Sequence, residues 1–173
     1  KNSNQPIKEM SLLTGPLEPT NEPYAIAKIS GIKLCESYYY QYGLNAISIM
    51  PTNLYGANDS FDLKNSHVLP ALLRKFHDGK IDKSERVEIW GTGKPLREFL
   101  HVDDLAEACT FLMSKINAKD LYEKKISHIN VGSGEEISIE DLAHLIKKIT
   151  EFKGSLFFNK DKPDGMYRKL LDS

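Results

Sequence analysis

The sequence predicts an α/β fold with a largely parallel sheet. Two observations carry that expectation. Segments with helical spacing of apolar residues alternate with short apolar runs along the chain. The first such run, residues 46–50, is short, apolar and Ile-rich and stops at Pro51, as a buried strand would. No internal repeat or low-complexity tract competes with this reading. At 173 residues, 40% hydrophobic and 27% charged, the chain can bury a core without disulfides or metals.

Each element has a local reason. Residues 1–23 read as loop, broken by Gly15-Pro16, Pro19 and Pro23. Thr20 and Asn21 are candidate caps for a helix over 24–42, which runs without proline and stops at Gly43. The strand at 46–50 ends at Pro51, and a loop rich in Asn and Asp follows to Ser66. A helix over 67–78 carries Pro70 in its first turn and stops at Gly79. Residues 87–90 form a strand that turns at Gly91-Thr92-Gly93. Residues 99–102 form another, and Asp103 caps a helix to 115. Residues 117–125 read as a charged connector, and a strand at 127–131 enters Gly132-Ser133-Gly134. Ser138-Ile139-Glu140-Asp141 has the form of a capping box opening a helix to 152. Residues 155–158 are the last strand before a tail rich in Lys and Arg.

Charge narrows the function classes. Lys plus Arg total 23 against 24 Asp plus Glu, a net charge of -1, so the footprint of a nucleic-acid or membrane-surface binder is missing. No apolar run approaches the roughly 18–20 residues of a membrane span. Cys35 and Cys109 lie far apart without metal-ligand spacing, so neither a disulfide framework nor a metal site is expected. The expected compartment is cytoplasmic. The chain opens on Lys1 without a signal peptide, as though cut from something longer.

Tyr24-Ala25-Ile26-Ala27-Lys28 is the main chemical feature. Positions i and i+4 share one helix face, so the phenol and the ammonium project side by side. A neighbouring cation favours phenolate, which makes a tyrosine usable as a proton donor or acceptor near neutral pH. By spacing alone the pair is equally an ordinary amphipathic helix start.

Context changes that balance. Asn21-Glu22-Pro23-Tyr24-Ala25-Ile26-Ala27-Lys28, Met50-Pro51-Thr52-Asn53-Leu54-Tyr55-Gly56 and Arg97-Glu98-Phe99-Leu100-His101-Val102-Asp103-Asp104 occur in this order. Together they resemble the extended short-chain dehydrogenase/reductase family that acts on nucleotide sugars. Asn65-Ser66-His67-Val68-Leu69-Pro70 and Lys162-Pro163-Asp164-Gly165 are similar to its branch that epimerises and reduces a GDP-linked 4-keto-6-deoxy sugar. The resemblance implies the C-terminal part of an NAD(P)-binding Rossmann-type parallel-sheet domain plus a small α/β substrate-binding lobe. Residues 1–58 and 98–131 would belong to the dinucleotide-binding domain, and 59–97 and 132–173 to the substrate lobe. The family's Gly-rich phosphate loop is not found here, because neither glycine pair completes the G-x-G-x-x-G pattern, and the resemblance places its catalytic Ser and Cys in a segment just ahead of Lys1. Cys35 is no substitute: 11 residues beyond Tyr24, it stands roughly 16 Å along the helix axis.

The resemblance also implies roles. Tyr24 protonates the alkoxide at sugar C4, Lys28 supports Tyr24 and the nicotinamide ribose of NADP(H), and His67 is the acid for epimerisation at C3 and C5. His67 is also placed beside the cofactor, whose nicotinamide pocket Pro51, Thr52, Asn53 and Leu54 would line. Lys75, Trp90, Arg97, Asp164 and Lys169 would contact the GDP-sugar, and the helix over 24–42 would pair with its copy in a homodimer. Other nucleotide-sugar epimerases, dehydratases and reductases share the Tyr/Lys pair, including reductases of keto-heptoses. A non-catalytic fragment is a third reading.

Overall fold

The computed structural model describes residues 3–63 and 65–173; Lys1, Asn2 and Lys64 lie outside the described residues. The expectation attached to Lys1 therefore finds no structural counterpart. The described chain is mixed α/β with parallel strand pairing, as the interleaved pattern requires. It divides into two compact units. The first holds residues 1–54, 98–135 and 170–173, and the second holds 55–97 and 136–169.

The first unit carries α1 (Glu22–Tyr42), β1 (Ile49–Pro51), α3 (Val102–Lys115), α4 (Ala118–Tyr122) and β5 (Ile129–Val131). Strand β1 pairs in parallel with β5, Ile49 opposite Ile129 and Pro51 opposite Val131. The core gathers around Ala118, Leu121 and Tyr122, with Tyr39, Ile47, Ile116, Ile126 and Ile129 packed against them. Buried Tyr122 satisfies its hydroxyl on the Ala46 carbonyl at 3.0 Å, as a buried phenol must. Helix α1 opens with Pro23 in its first turn and ends at Gly43, whose φ of 68° is the left-handed stop expected of that glycine.

The second unit carries α2 (Val68–Ile81), β3 (Arg86–Trp90), β6 (Glu136–Ser138), α5 (Ile139–Thr150), β7 (Ser155–Asn159) and β8 (Arg168–Lys169). Strands β3 and β7 pair in parallel from Arg86 opposite Ser155 to Trp90 opposite Asn159. Beneath them Phe76 of α2 and Phe152 meet edge to face at 5.6 Å, beside buried Leu72, Val87, Leu142 and Ile146. Ser138 caps α5 with half of the expected box: its hydroxyl accepts the Asp141 N–H at 2.9 Å and donates to the Asp141 carboxylate at 2.6 Å. The carboxylate is therefore turned to the hydroxyl rather than to the Ser138 N–H. Two short strands run across the division of the chain: β2 (Asn53–Tyr55) and β4 (Leu96–His101). At its start β4 pairs in parallel with β8, Leu96 opposite Arg168 and Arg97 opposite Lys169.

Several expectations needed correction. Gly79 does not stop α2 but lies inside the helix, where a Cβ would press on Val87 at 3.1 Å and Phe152 at 3.2 Å. Glycine there permits close helix packing rather than a turn. The connector over 117–125 contains α4, whose start is tied by an Asn117–Asp120 capping box and by Asn45, which accepts the Ala118 N–H. Strands β2, β6 and β8 were not expected, being only two or three residues long. His101 rather than Asp103 caps α3, its Nδ1 accepting the Asp103 N–H at 3.3 Å.

Candidate functional site

Helix α1 settles the geometry of its first turns. Tyr24 and Lys28 stand one turn apart, and the Lys28 Nζ lies 5.4 Å from the centroid of the Tyr24 ring. The phenol is 61% exposed, so a substrate could reach it. The i, i+4 reading is therefore a physical contact between a cation and an aromatic ring.

In the same unit, the segment after β1 is held by main-chain and side-chain bonds. The Thr52 N–H donates to the Val131 carbonyl at 3.0 Å, continuing the β1–β5 ladder. The Thr52 hydroxyl and the Asn53 amide both donate to the carbonyl of Glu98, at 3.2 and 2.7 Å. A carbonyl oxygen only accepts, so the Asn53 atom facing it is the NH2 end. Pro51 closes β1, and Leu54 lies half-buried in β2.

The second unit assembles a different set. Trp90, at the end of β3, is 55% exposed and has two ammonium groups over its ring, Lys75 Nζ at 5.6 Å and Lys162 Nζ at 5.4 Å from the centroid. Lys75 also donates to the Glu88 carbonyl at 3.0 Å, and burial pushes its pKa down against the opposing pull of Glu88. An aromatic face with cations on it suits a flat ring carrying anionic substituents. Arg97 is half-buried, and its Nη1 donates to the carbonyls of Leu96 and Met166, each at 2.7 Å. Burial lowers the pKa of its guanidinium, which nevertheless remains charged.

Asp164 is committed within its own unit to Thr92, whose N–H and hydroxyl it accepts at 2.6 and 2.9 Å. Lys169 sits in β8 opposite Arg97. Beside it Arg168 makes a two-pronged ion pair with Glu136, at 2.6 to 2.9 Å, that ties β8 to β6. His67 is exposed and takes the N-cap position of α2 without a side-chain capping bond, so the imidazole is not spent on the helix terminus.

Three residues of these arrangements were missed from sequence. Lys162 was quoted within the Lys162-Pro163-Asp164-Gly165 motif and given no role, although its place two residues before Asp164 marked it. Thr92 was taken as plain turn. Glu98 was quoted within a motif and given no role, although a carboxylate in an apolar strand was a signal. Among the described residues no group of His, Cys, Asp and Glu could hold a metal ion, and no helix is long and apolar enough to cross a membrane.

Comparison with known proteins adds the remaining findings. The model of the NAD dependent epimerase/dehydratase family matches residues 1–132. GDP-L-fucose synthase 1 of Arabidopsis thaliana is 57% identical over 169 residues, covering 98% of this chain and 50% of that protein. GDP-L-fucose synthase of Escherichia coli K12 is 53% identical over 174 residues, covering 99% and 54%. Among solved structures, MlghC, a GDP-mannoheptose C4 reductase from Campylobacter jejuni with NADP bound, has a TM-score of 0.84 at 39% identity. That match covers 99% of this chain and 58% of the other. The chain spans about half the length of the curated relatives it matches.

Proposed function

Since the chain belongs to the NAD dependent epimerase/dehydratase family, we propose that the protein carrying it makes GDP-L-fucose from GDP-4-keto-6-deoxy-D-mannose. The reaction comprises epimerisation at C3 and C5 and NADPH-dependent reduction at C4. The observation that carries this reading is the Tyr24–Lys28 contact, an acid and its supporting cation on one helix face. It stands in a sequence 57% identical to a GDP-L-fucose synthase.

The chemistry follows from the 4-keto group, which acidifies the protons on C3 and C5 by delocalising charge onto its oxygen. Epimerisation removes a proton from one face and returns one to the other. His67 returns it, since its imidazole makes no capping bond and can carry a proton to the opposite face. The opposing base would be the cysteine that the family carries ahead of the Tyr helix. Bound NADPH supplies the hydride for C4. Tyr24 gives its phenolic proton to the C4 oxygen, and Lys28 stabilises the phenolate left behind. The fit of this chain to the cofactor rests on that pair and on the Thr52–Asn53 segment, whose side chains are already oriented by Glu98. Pro51 and Leu54 complete the wall of the nicotinamide pocket.

In this reading the dinucleotide-binding domain comprises residues 1–58 and 98–131, close to the first unit, which instead ends its first stretch at 54 and takes in 132–135 and 170–173. The second domain, drawn from 59–97 and 132–173, binds the GDP-sugar. Trp90 offers its face to the nucleotide while Lys75, Arg97, Asp164 and Lys169 serve the diphosphate and ribose end. Dimerisation through α1 belongs to the same proposal. Its support is that helix's single buried residue, Ile32, set against exposed Ile26, Leu34, Tyr38 and Tyr42. Free Cys35 and Cys109 fit a reducing, cytoplasmic compartment. A second reading, reduction of a GDP-linked keto-heptose, is favoured by the likeness to the Campylobacter jejuni reductase.

The deciding assay follows NADPH oxidation by the full-length protein with each 4-keto sugar in turn. Turnover of the 6-deoxy hexose to GDP-L-fucose is expected. Turnover of the heptose alone would replace this reading with the second, and turnover of neither would overturn both.

A further inference from the structure

Glu98 stands at the start of the first unit's share of β4, and its side chain is entirely shielded from solvent. Its Oε1 accepts the Gly134 N–H at 2.9 Å and its Oε2 accepts the Leu171 N–H at 3.1 Å. Its main-chain carbonyl accepts the Thr52 hydroxyl and the Asn53 amide. One residue thus receives four donors from three segments, 36, 73 and about 45 positions away in sequence. Among the described residues no cation pairs with the carboxylate.

The surroundings are shaped for a carboxylate and for nothing else of that size. Two N–H groups converge on it, and only a carboxylate offers two oxygens with no donor of its own. An amide would satisfy one N–H and oppose the other. Gly132 leaves the space, since a Cβ there would overlap Oε1. A buried anion is costly to desolvate, and it holds its place only while both N–H bonds are made. The carboxylate therefore fixes the main chain of residue 98, and through it the carbonyl that orients Asn53.

We propose that Glu98 is a positioning residue for the cofactor: its buried carboxylate sets the Glu98 carbonyl, which turns the Asn53 amide so that its oxygen is the end offered to the carboxamide of a nicotinamide. This rests on the cofactor reading above. It assigns the two ends of the amide, and it makes an otherwise silent residue in β4 a determinant of nicotinamide affinity.

The test uses the full-length protein and two probes, NADPH and GDP, each titrated separately. Glu98→Gln should weaken NADPH binding about tenfold while GDP binding stays within about twofold. Asn53→Ala should weaken NADPH to a similar extent, and the double variant should be no weaker than the worse single by more than about twofold. Unchanged NADPH affinity in Glu98→Gln would overturn the proposal, as would equal weakening of both probes, which is general loosening. Additive effects in the double variant would also overturn it, because Glu98 would then not act through Asn53. Should Glu98→Gln fail to fold, Thr52→Val keeps the carboxylate and removes only the hydroxyl on the Glu98 carbonyl. It should weaken NADPH about threefold, and an unaltered affinity would again overturn the proposal. Failure of the unaltered protein to bind NADPH would overturn the cofactor reading and this proposal together. Binding that no variant disturbs would overturn this proposal alone.

Discussion

Asp164 grips Thr92 with both carboxylate oxygens, Oδ1 on the backbone N–H at 2.6 Å and Oδ2 on the hydroxyl at 2.9 Å. The tail after β7 is thereby fastened to the turn after β3, 72 residues away in sequence. Gly91 makes this possible twice over: its φ of 79° suits glycine, and a Cβ there would overlap the Asp164 carboxylate. Trp90 precedes that turn and Lys162 precedes Asp164, so the clamp also holds the two together.

The clamp predicts a coupled pair. Asp164→Ala and Thr92→Ala should each destabilise by about 1 kcal/mol, below the roughly 1.5–3 kcal/mol of a charged hydrogen bond because Asp164 is exposed. The double variant should cost little more than either single. Urea denaturation of the three variants measures this. GDP affinity should fall in parallel for Thr92→Ala if Asp164 acts by ordering the turn. A Thr92→Ala variant that binds GDP normally while Asp164→Ala does not would make Asp164 a direct ligand.

Tyr24→Phe keeps the ring against Lys28 and removes only the proton to be donated. Reduction should fall about a hundredfold or more, the usual worth of general acid catalysis, with GDP-sugar binding nearly intact. Stopped-flow NADPH oxidation and equilibrium binding separate the two effects. Unaltered turnover would remove Tyr24 from the chemistry.

His67→Gln tests the other proton. In deuterated water the epimerising enzyme labels C3 and C5 of the sugar, and the variant should do so at least about tenfold more slowly. Because the imidazole makes no capping bond, α2 should be unharmed, and circular dichroism is expected to stay the same. Undiminished labelling would show that another group returns the proton.

Much of the fold was legible because it rests on local signals. The stop at Gly43, the Ser138 hydroxyl cap and the i, i+4 pair on α1 each depend on residues within a few positions of one another. What was illegible depends on distant partners. Gly79 reads as a helix stop until Val87 and Phe152 are seen to press on it. The connector over 117–125 reads as charged loop until Asn45 is found at the start of α4. In the candidate site, Tyr24 and Lys28 could be paired by spacing. The links from Glu98 to Asn53 and from Asp164 to Thr92 span dozens of residues and leave no periodic trace.

His128 gives the protein a pH dependence that the sequence did not announce. Its imidazole is buried at the entry to β5, with Nδ1 2.9 Å from the Ser127 hydroxyl. Burial pushes its pKa below 6.5, against the pull of the nearby Glu9 carboxylate. The unfolded chain then binds a proton that the folded chain refuses. Stability is therefore fully present above about pH 6.5 and is lost as pH falls from there towards the lower folded value. Thermal melts between about pH 5 and 8 should show a falling Tm on the acid side, and His128→Asn should flatten that limb at some cost in packing. Glu9→Gln removes the attractive charge, so the folded pKa should drop further and the acid limb lengthen. An acid limb of the same slope in His128→Asn would assign the titration to another group.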